Sequence, residues 1–368
     1  MKFQIYDLRL FRRMTQKDKQ YMLMTLRHAR RTSERPSSEP RAAALVVSQD
    51  QVVGKGPTIS IGLDEAGQRA EGATLYTNIE PGLEAADRQA SIKRIIASRI
   101  ARVVIGATSH ATESETVDLL RLSGIEVATG ICEQQSRELN ESYFKYSSTG
   151  LPFITVKFAS TLDGRIATRT GDSQWISGPA SLRLAHQLRR ENDGILVGIG
   201  TVLADDPRLT VRLVNGRDPL RIVIDSRLRI PVTARVLQEG AAHHTVIATT
   251  DRASPKRIRE LEELGAELLI LPEAADGAGV NLVDLFAALG RRRVASVLVE
   301  GGAGIITSLL AARMVDRLVI AIAPKIIGQG LEAIGDLGIT SLKGAITFTS
   351  VKTRKLGADI IFDGRLPV

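Results

Sequence analysis

The chain has one cysteine, one tryptophan, few aromatics and no apolar run long enough to cross a bilayer. Each scarcity closes a class of function. A lone Cys132 rules out an intramolecular disulfide framework and a multi-cysteine zinc site, so a cytoplasmic protein is expected. Aromatics are 4% of the residues and are not interleaved with basic ones, which argues against stacking platforms for single-stranded nucleic acid. The opening MKFQIYDLRLFRRMTQKDKQ carries a twin arginine, but no apolar stretch or small-residue cleavage site follows. Residues 1–16 therefore read as a basic extension rather than a signal. Neither a membrane nor a nucleic-acid partner is expected.

The 368 residues suggest two domains, and 43% hydrophobic content can fill ordinary cores. The formal charge of +8 fits an acidic surface, a nucleic acid or a phosphorylated small molecule. Basic clusters at 27–31 and 291–293 adjoin helical patterns and read as solvated helix ends. Helical periodicity over 17–31 precedes a Pro/Ser-rich loop at 33–40. Strand-like runs at 43–48, 74–78 and 102–105 alternate with helical patterns at 86–98, 113–122 and 134–146. Thr149-Gly150-Leu151-Pro152 reads as a boundary turn, giving domains 17–149 and 150–368.

The second half alternates more strongly. Strands are expected at 153–158, 195–197, 221–224, 245–248, 267–271 and 296–299, and helices at 179–191, 255–264, 282–289 and 304–312. Runs at 317–323, 345–353 and 359–362 follow without a long helix between them, so a mixed, mostly parallel sheet closed by an antiparallel pair is expected. Polar groups gather at strand ends, where open α/β sheets bind ligands. They lie in VKFASTLDGRIA (156–167), GDSQWIS (171–177), GTVLADDPRLTVR (200–212), RIVIDS (221–226), LVEGG (298–302) and IAPKIIG (322–328). In these segments glycines admit close backbone approach, and the turn after LVEGG opens a helix whose N–H groups can take a phosphate.

At those segments the chain resembles the reductase domain of the bifunctional riboflavin-biosynthesis deaminase–reductase family. The resemblance implies an α/β chain with a cytidine-deaminase-like three-layer domain and then a dihydrofolate-reductase-like domain. It implies NADPH-dependent reduction of the ribosyl group of 5-amino-6-(5-phosphoribosylamino)uracil, or of its 2-amino precursor, to ribityl, in a homodimer or higher homo-oligomer. By resemblance, Lys157, Ser173, Arg189, Leu209, Arg212 and Glu300 line the substrate site, with Lys157 catalytic. Ala159, Trp175, Thr201, Asp205, Ser226, Gly302, Ala303, Gly304, Ile305 and Ile306 meet the cofactor. Arg227 and Arg229 suit a 2′-phosphate.

Simpler roles compete at several positions. Arg189 can be a solvated helix residue, Arg212 can pair with Asp205 or Asp206, Glu300 can cap its own turn, and Trp175 can be a core aromatic. A dihydrofolate-type or pterin-type reductase on the same fold and a non-catalytic regulatory paralogue are the rival functions.

The first half resembles the family's zinc-dependent deaminase in its 17–31 helix, GATLYTNIEP (72–81), ARVVI (101–105) and 120–128. That chemistry needs a His-x-Glu pair and two cysteines. Residues 54–72 read GKGPTISIGLDEAGQRAEG, and Glu80-Pro81-Gly82 stands where Pro-Cys is expected. The second cysteine's region reads LEAADRQA at 83–90. None of His28, His110, His186, His243 and His244 lies at ligand spacing in this domain, and Cys132 reads as a small buried hydrophobe. A degenerate domain without zinc or deaminase activity is expected.

Overall fold

The computed structural model describes residues 3–31, 36–83, 88–109, 114–238, 240–275, 277 and 279–367, with 3–15 by backbone alone. The stretch 84–87, His110 and part of the 33–40 loop lie outside these. The chain divides into two compact units, Met1–Arg35 with Glu39–Phe144, and Pro36–Ser38 with Lys145–Val368.

The first unit holds α1 (Phe3–Ala29), β1 (Ala44–Ser48), β2 (Gln51–Gly56), α2 (Ile59–Ala66), β3 (Thr74–Ile79), α3 (Arg88–Ala97), β4 (Arg102–Ala107), α4 (Glu115–Leu122), β5 (Glu126–Thr129) and α5 (Glu133–Leu139). Its sheet runs β2-β1-β3-β4-β5, antiparallel on either side of β1 and parallel beyond β3. Period-two alternation sends Ala44, Val46 and Leu75 to one face, against Ile59, Leu63, Ile95 and Leu120 of α2 to α4. Leu45, Val47 and Tyr76 go to the other face, against Met22 and Leu26 of α1. This is the expected three-layer arrangement. Within the basic segment the chain is helical from Phe3, and α1 runs unbroken to Ala29. The helix expected at 134–146 is two, α5 and α6 (Glu141–Thr149). Asn140 breaks it by accepting the Arg41 N–H at 2.7 Å and donating to the Ser136 carbonyl, a side chain competing with the helix ladder.

The second unit continues with β6 (Phe153–Thr161), β7 (Arg165–Thr168), α7 (Pro179–Glu191), β8 (Gly194–Gly198), α8 (Ile199–Asp205), β9 (Leu220–Ile224), β10 (Thr245–Thr249), α9 (Pro255–Glu263), β11 (Glu267–Ile270), α10 (Leu282–Arg291), β12 (Ser296–Val299), α11 (Ala303–Ala311), β13 (Arg317–Ala323), β14 (Gly330–Glu332), β15 (Ser350–Leu356) and β16 (Asp359–Arg365). The main sheet is ordered β11-β10-β9-β8-β12-β6-β13-β16-β15. The strands from β11 to β13 are parallel, and β16 and β15 close the edge antiparallel. The mixed sheet is thus as expected, although its last hairpin starts at Ser350 rather than 345. A separate ribbon pairs β7 with β14.

One sheet face packs Ile154, Val156, Phe158, Val297 and Val299 on Phe286 of α10 and Ile306 and Leu309 of α11. The other has two apolar clusters. Ile195, Val197 and Val223 pack with Leu209 and Leu261, and Leu298, Val319 and Ala321 pack with Leu184 and Leu188 of α7. No described helix is long and apolar enough to cross a membrane.

Candidate functional site

The chain leaves β8 outward through β9, β10 and β11, then returns to insert β12 between β8 and β6. That return creates a topological switch, the place where carboxyl ends of parallel strands leave a crevice. Val299 pairs with Val156, so the next residues, Glu300 and Lys157, come side by side on the face that α7 covers. Pro179 starts α7 after Gly178, whose N–H bonds Asp359 Oδ2 at 2.8 Å. The helix seats Leu184 and Leu188 on the sheet, and its i, i+3 pair His186 and Arg189 then faces the crevice residues.

Arg189 grips Glu300 with two bonds, Nε to Oε1 at 2.8 Å and Nη2 to Oε2 at 2.6 Å. Its Nη1 donates to the Thr210 carbonyl at 3.0 Å. Both partners are 12–14% exposed in their side chains, so Arg189 is not a solvated helix residue and Glu300 does not cap its own turn. Burial would raise the Glu300 carboxyl, but Arg189, then Lys157, hold it below its ordinary value. Burial pushes the Lys157 ammonium down, and Arg189 adds to that against the pull of Glu300. His186 is buried and pushed down to about 4, first by burial and then by Arg189 and Arg212. It is neutral near pH 7, and its Nδ1 accepts the Arg212 backbone N–H at 3.1 Å.

Arg212 lies at the exposed rim; partial burial of its charge, then Arg189 and Arg208, lower it, and Glu300 pulls the other way. It does not pair with the neighbouring acids: Asp206 is bonded to Arg235, and burial raises Asp205. Lys157, Arg189, Arg212 and Glu300 are therefore brought together. His186 joins them, a residue that sequence reasoning missed; its spacing of three from Arg189 was the available signal.

The other assigned residues surround this centre. Leu209 is buried at φ +53° and plugs the apolar cluster beside β8. Ala159 lies two residues beyond Lys157 on the same face. Thr201 and Asp205 lie in α8, not in an irregular loop. A Cβ on Gly302 would stand 3.8 Å from Thr201 Oγ1, so α8 and the start of α11 are neighbours. Gly302 caps α11, which has no side-chain cap and no acid in its first turn; Ala303, Gly304, Ile305 and Ile306 follow. A Cβ at Gly200 or Gly304 would meet nothing within 4 Å. Open space thus lies beside uncapped N–H groups, an arrangement that favours an anion. Ser226 follows β9, and its carbonyl accepts from Thr250 Oγ1 at 2.9 Å. Ser173 stands in the segment before α7, next to which Trp175 is 63% exposed, so Trp175 is not a core aromatic. The Trp175 carbonyl takes Lys325 Nζ at 2.6 Å.

A cavity of about 800 Å³ opens at the opposite strand ends, against Asp193, Asp218, Leu220 and Arg221. Its aspartates are paired with Arg217 and Arg221, and it contains none of the residues above. In the first unit Glu80 is buried at the end of β3 and accepts from Ser109 N, Ser109 Oγ and Ser114 Oγ at 2.7–2.8 Å. Burial opposes its ionisation, but these donors prevail and lower it, so Glu80 fastens the start of α4.

Residues 152–362 match the family model described as the RibD C-terminal domain. The chain is similar to the riboflavin biosynthesis protein RibD of Aquifex aeolicus, at 38% identity over 94% of this chain and 97% of that one. RibD of Bacillus amyloliquefaciens is 34% identical, with 92% and 94% covered. Among solved structures, Acinetobacter baumannii RibD aligns with a TM-score of 0.81 at 27% identity, covering 96% of this chain and 99% of its own. A deaminase/5-amino-6-(5-phosphoribosylamino)uracil reductase from Thermotoga maritima aligns at 0.80, with the same identity and coverage.

Proposed function

The chain belongs to the RibD riboflavin-biosynthesis family, and from that premise we propose that its second unit uses NADPH to reduce the ribosyl group of 5-amino-6-(5-phosphoribosylamino)uracil, or of its 2-amino precursor, to ribityl. The chain is an oxidoreductase of riboflavin biosynthesis. The observation that carries the substrate reading is charge: three cations, Lys157, Arg189 and Arg212, surround one carboxylate, Glu300, beside a neutral His186. A cleft with that surplus favours a dianion, and a ribose phosphate is one.

The residues divide the work. Arg189 spends its donors on Glu300 and Thr210, which leaves Arg212 as the phosphate anchor. Glu300, fixed and ionised, accepts from pyrimidine N–H or sugar hydroxyl groups. Lys157, with its ammonium destabilised, supplies the proton that the sugar ring oxygen needs as the anomeric carbon is reduced. Ser173 and Leu209 complete the substrate side. NADPH, when bound, supplies the hydride. Its phosphates would lie on Gly302, Ala303, Gly304, Ile305 and Ile306, with Ala159, Trp175, Thr201, Asp205 and Ser226 along its length. Arg227 and Arg229 would select a 2′-phosphate over NADH.

The first unit is read as a degenerate deaminase-like domain that binds no zinc and does not deaminate. The sequence has no His-x-Glu between Gly54 and Gly72 and no cysteine besides Cys132. It serves packing or assembly of a cytoplasmic homodimer or higher homo-oligomer. The deciding experiment follows NADPH oxidation with both pyrimidine forms and with dihydrofolate, alongside elemental analysis. Turnover of a phosphoribosylaminopyrimidine without zinc supports the reading. Preferential turnover of dihydrofolate, or one tightly held zinc per chain, overturns it.

A further inference from the structure

The segment that carries Arg212 has no sheet or helix of its own between α8 and β9. Its backbone is held instead by side chains, three from neighbouring elements and one, Asp218, from its own far end. Arg221 of β9 donates to the Arg208 carbonyl at 3.1 Å, and Arg189 of α7 donates to the Thr210 carbonyl at 3.0 Å. Asp218 accepts the Val211 N–H at 2.7 Å, and His186 of α7 accepts the Arg212 N–H at 3.1 Å. Leu209 is the apolar pin of the same segment, buried among Ile195, Val197 and Val223. The bond from His186 is the last of the series and acts on the residue whose guanidinium must meet the ligand.

We infer that His186 is a positioning residue for substrate phosphate, acting through the Arg212 backbone. The inference rests on the proposed reductase reading for its ligand, but not for its geometry. Only a neutral imidazole with its proton on Nε2 can accept at Nδ1. Burial first, then Arg189 and Arg212 with Lys157 on β6, favour that neutral form, and Glu300 just after β12 pulls against them. Without the acceptor, the Arg212 N–H loses its partner and the segment's end is released. The Arg212 side chain then samples a wider arc, and a phosphate must order it on binding. The effect belongs in KM for the phosphorylated substrate and not in cofactor binding, because none of the bonds touches α8 or α11.

The test compares His186→Phe, which fills the space without an acceptor, with His186→Asn, whose Oδ1 can stand near the place of Nδ1. Amide hydrogen exchange over 208–213 is measured on the full chain without substrate, and KM, kcat and NADPH Kd are measured with it. His186→Phe should speed exchange in that segment and raise substrate KM about tenfold, with kcat and NADPH Kd within about twofold of wild type. His186→Asn should restore both exchange and KM. Exchange that is unchanged in a folded His186→Phe overturns the inference, as does an Asn variant no better than the Phe variant. A loss confined to kcat overturns it too. If the wild-type chain turns over no phosphoribosylaminopyrimidine, the reductase reading fails, and the exchange experiment still decides whether His186 positions this segment.

Discussion

Replacing Glu300 by Gln removes the one negative charge among Lys157, Arg189 and Arg212 while keeping nearly the same shape. In the native site Glu300 takes two charge-assisted bonds from Arg189 with both side chains largely out of water. Breaking such a buried pair from one side costs about 3–5 kcal/mol, because the remaining charge stays desolvated and unpaired. For a unit of this size that is a fall in Tm of roughly 6–20 °C. Scanning calorimetry on the full chain measures it. Inorganic phosphate should recover part of the loss in Glu300→Gln and add less to wild type, since it restores a counter-charge. The double variant Arg189→Met, Glu300→Met should return to within about 1–2 kcal/mol of wild type, because two apolar side chains leave nothing unpaired. It should nevertheless be inactive. A Glu300→Gln protein that melts with wild type and gains nothing from phosphate would mean that the Arg189–Glu300 pair does not balance the charge of this site.

Arg212→Ala should raise substrate KM by about one to two decades, the worth of a charge-assisted contact of roughly 1.5–3 kcal/mol, with NADPH Kd little changed. Steady-state kinetics and NADPH titration check this, and the opposite split would assign Arg212 to the cofactor. Lys157→Met should lower kcat by about 100-fold to 10,000-fold while NADPH Kd holds, as expected for loss of a proton donor. His186 titrates near 6.5 when unfolded and is pushed down to about 4 in the fold. Between those values the unfolded chain binds more protons, so its stabilising share is complete above pH 6.5 and is lost as the pH falls toward 4. That share is about 3 kcal/mol and should be absent from the pH profile of urea unfolding in His186→Phe.

The parallel strands were legible because strands buried on both faces read as short apolar runs, and β12 and α7 match expectation at both ends. Pro179 and Pro255 marked helix starts through their fixed φ. The short elements were not legible. Strands β7 and β14 form a ribbon held by an Arg165–Glu332 pair, with no apolar period to betray it. The seven residues of α8 sit inside a glycine-rich stretch that reads as a loop. In the site, the motif glycines and charged residues could be named from the chain alone, but their pairing could not. Arg189 meets Glu300 across 111 residues, a distance only the sheet order closes. His186 carried only its spacing of three from Arg189 as a signal, because its partner, the Arg212 backbone N–H, leaves no mark in the sequence.

Whether this chain reduces the ribosyl group turns on the fate of the hydride. NADPH deuterated at the nicotinamide C4 on the transferring face is incubated with the full chain and 5-amino-6-(5-phosphoribosylamino)uracil, and the product is read by mass spectrometry and NMR. One deuterium is expected in the new C1′ methylene of a ribityl product, formed by wild type and slowed by Lys157→Met. Oxidation of NADPH with no deuterium at C1′, or no oxidation at all in the presence of this substrate and its 2-amino form, would contradict it.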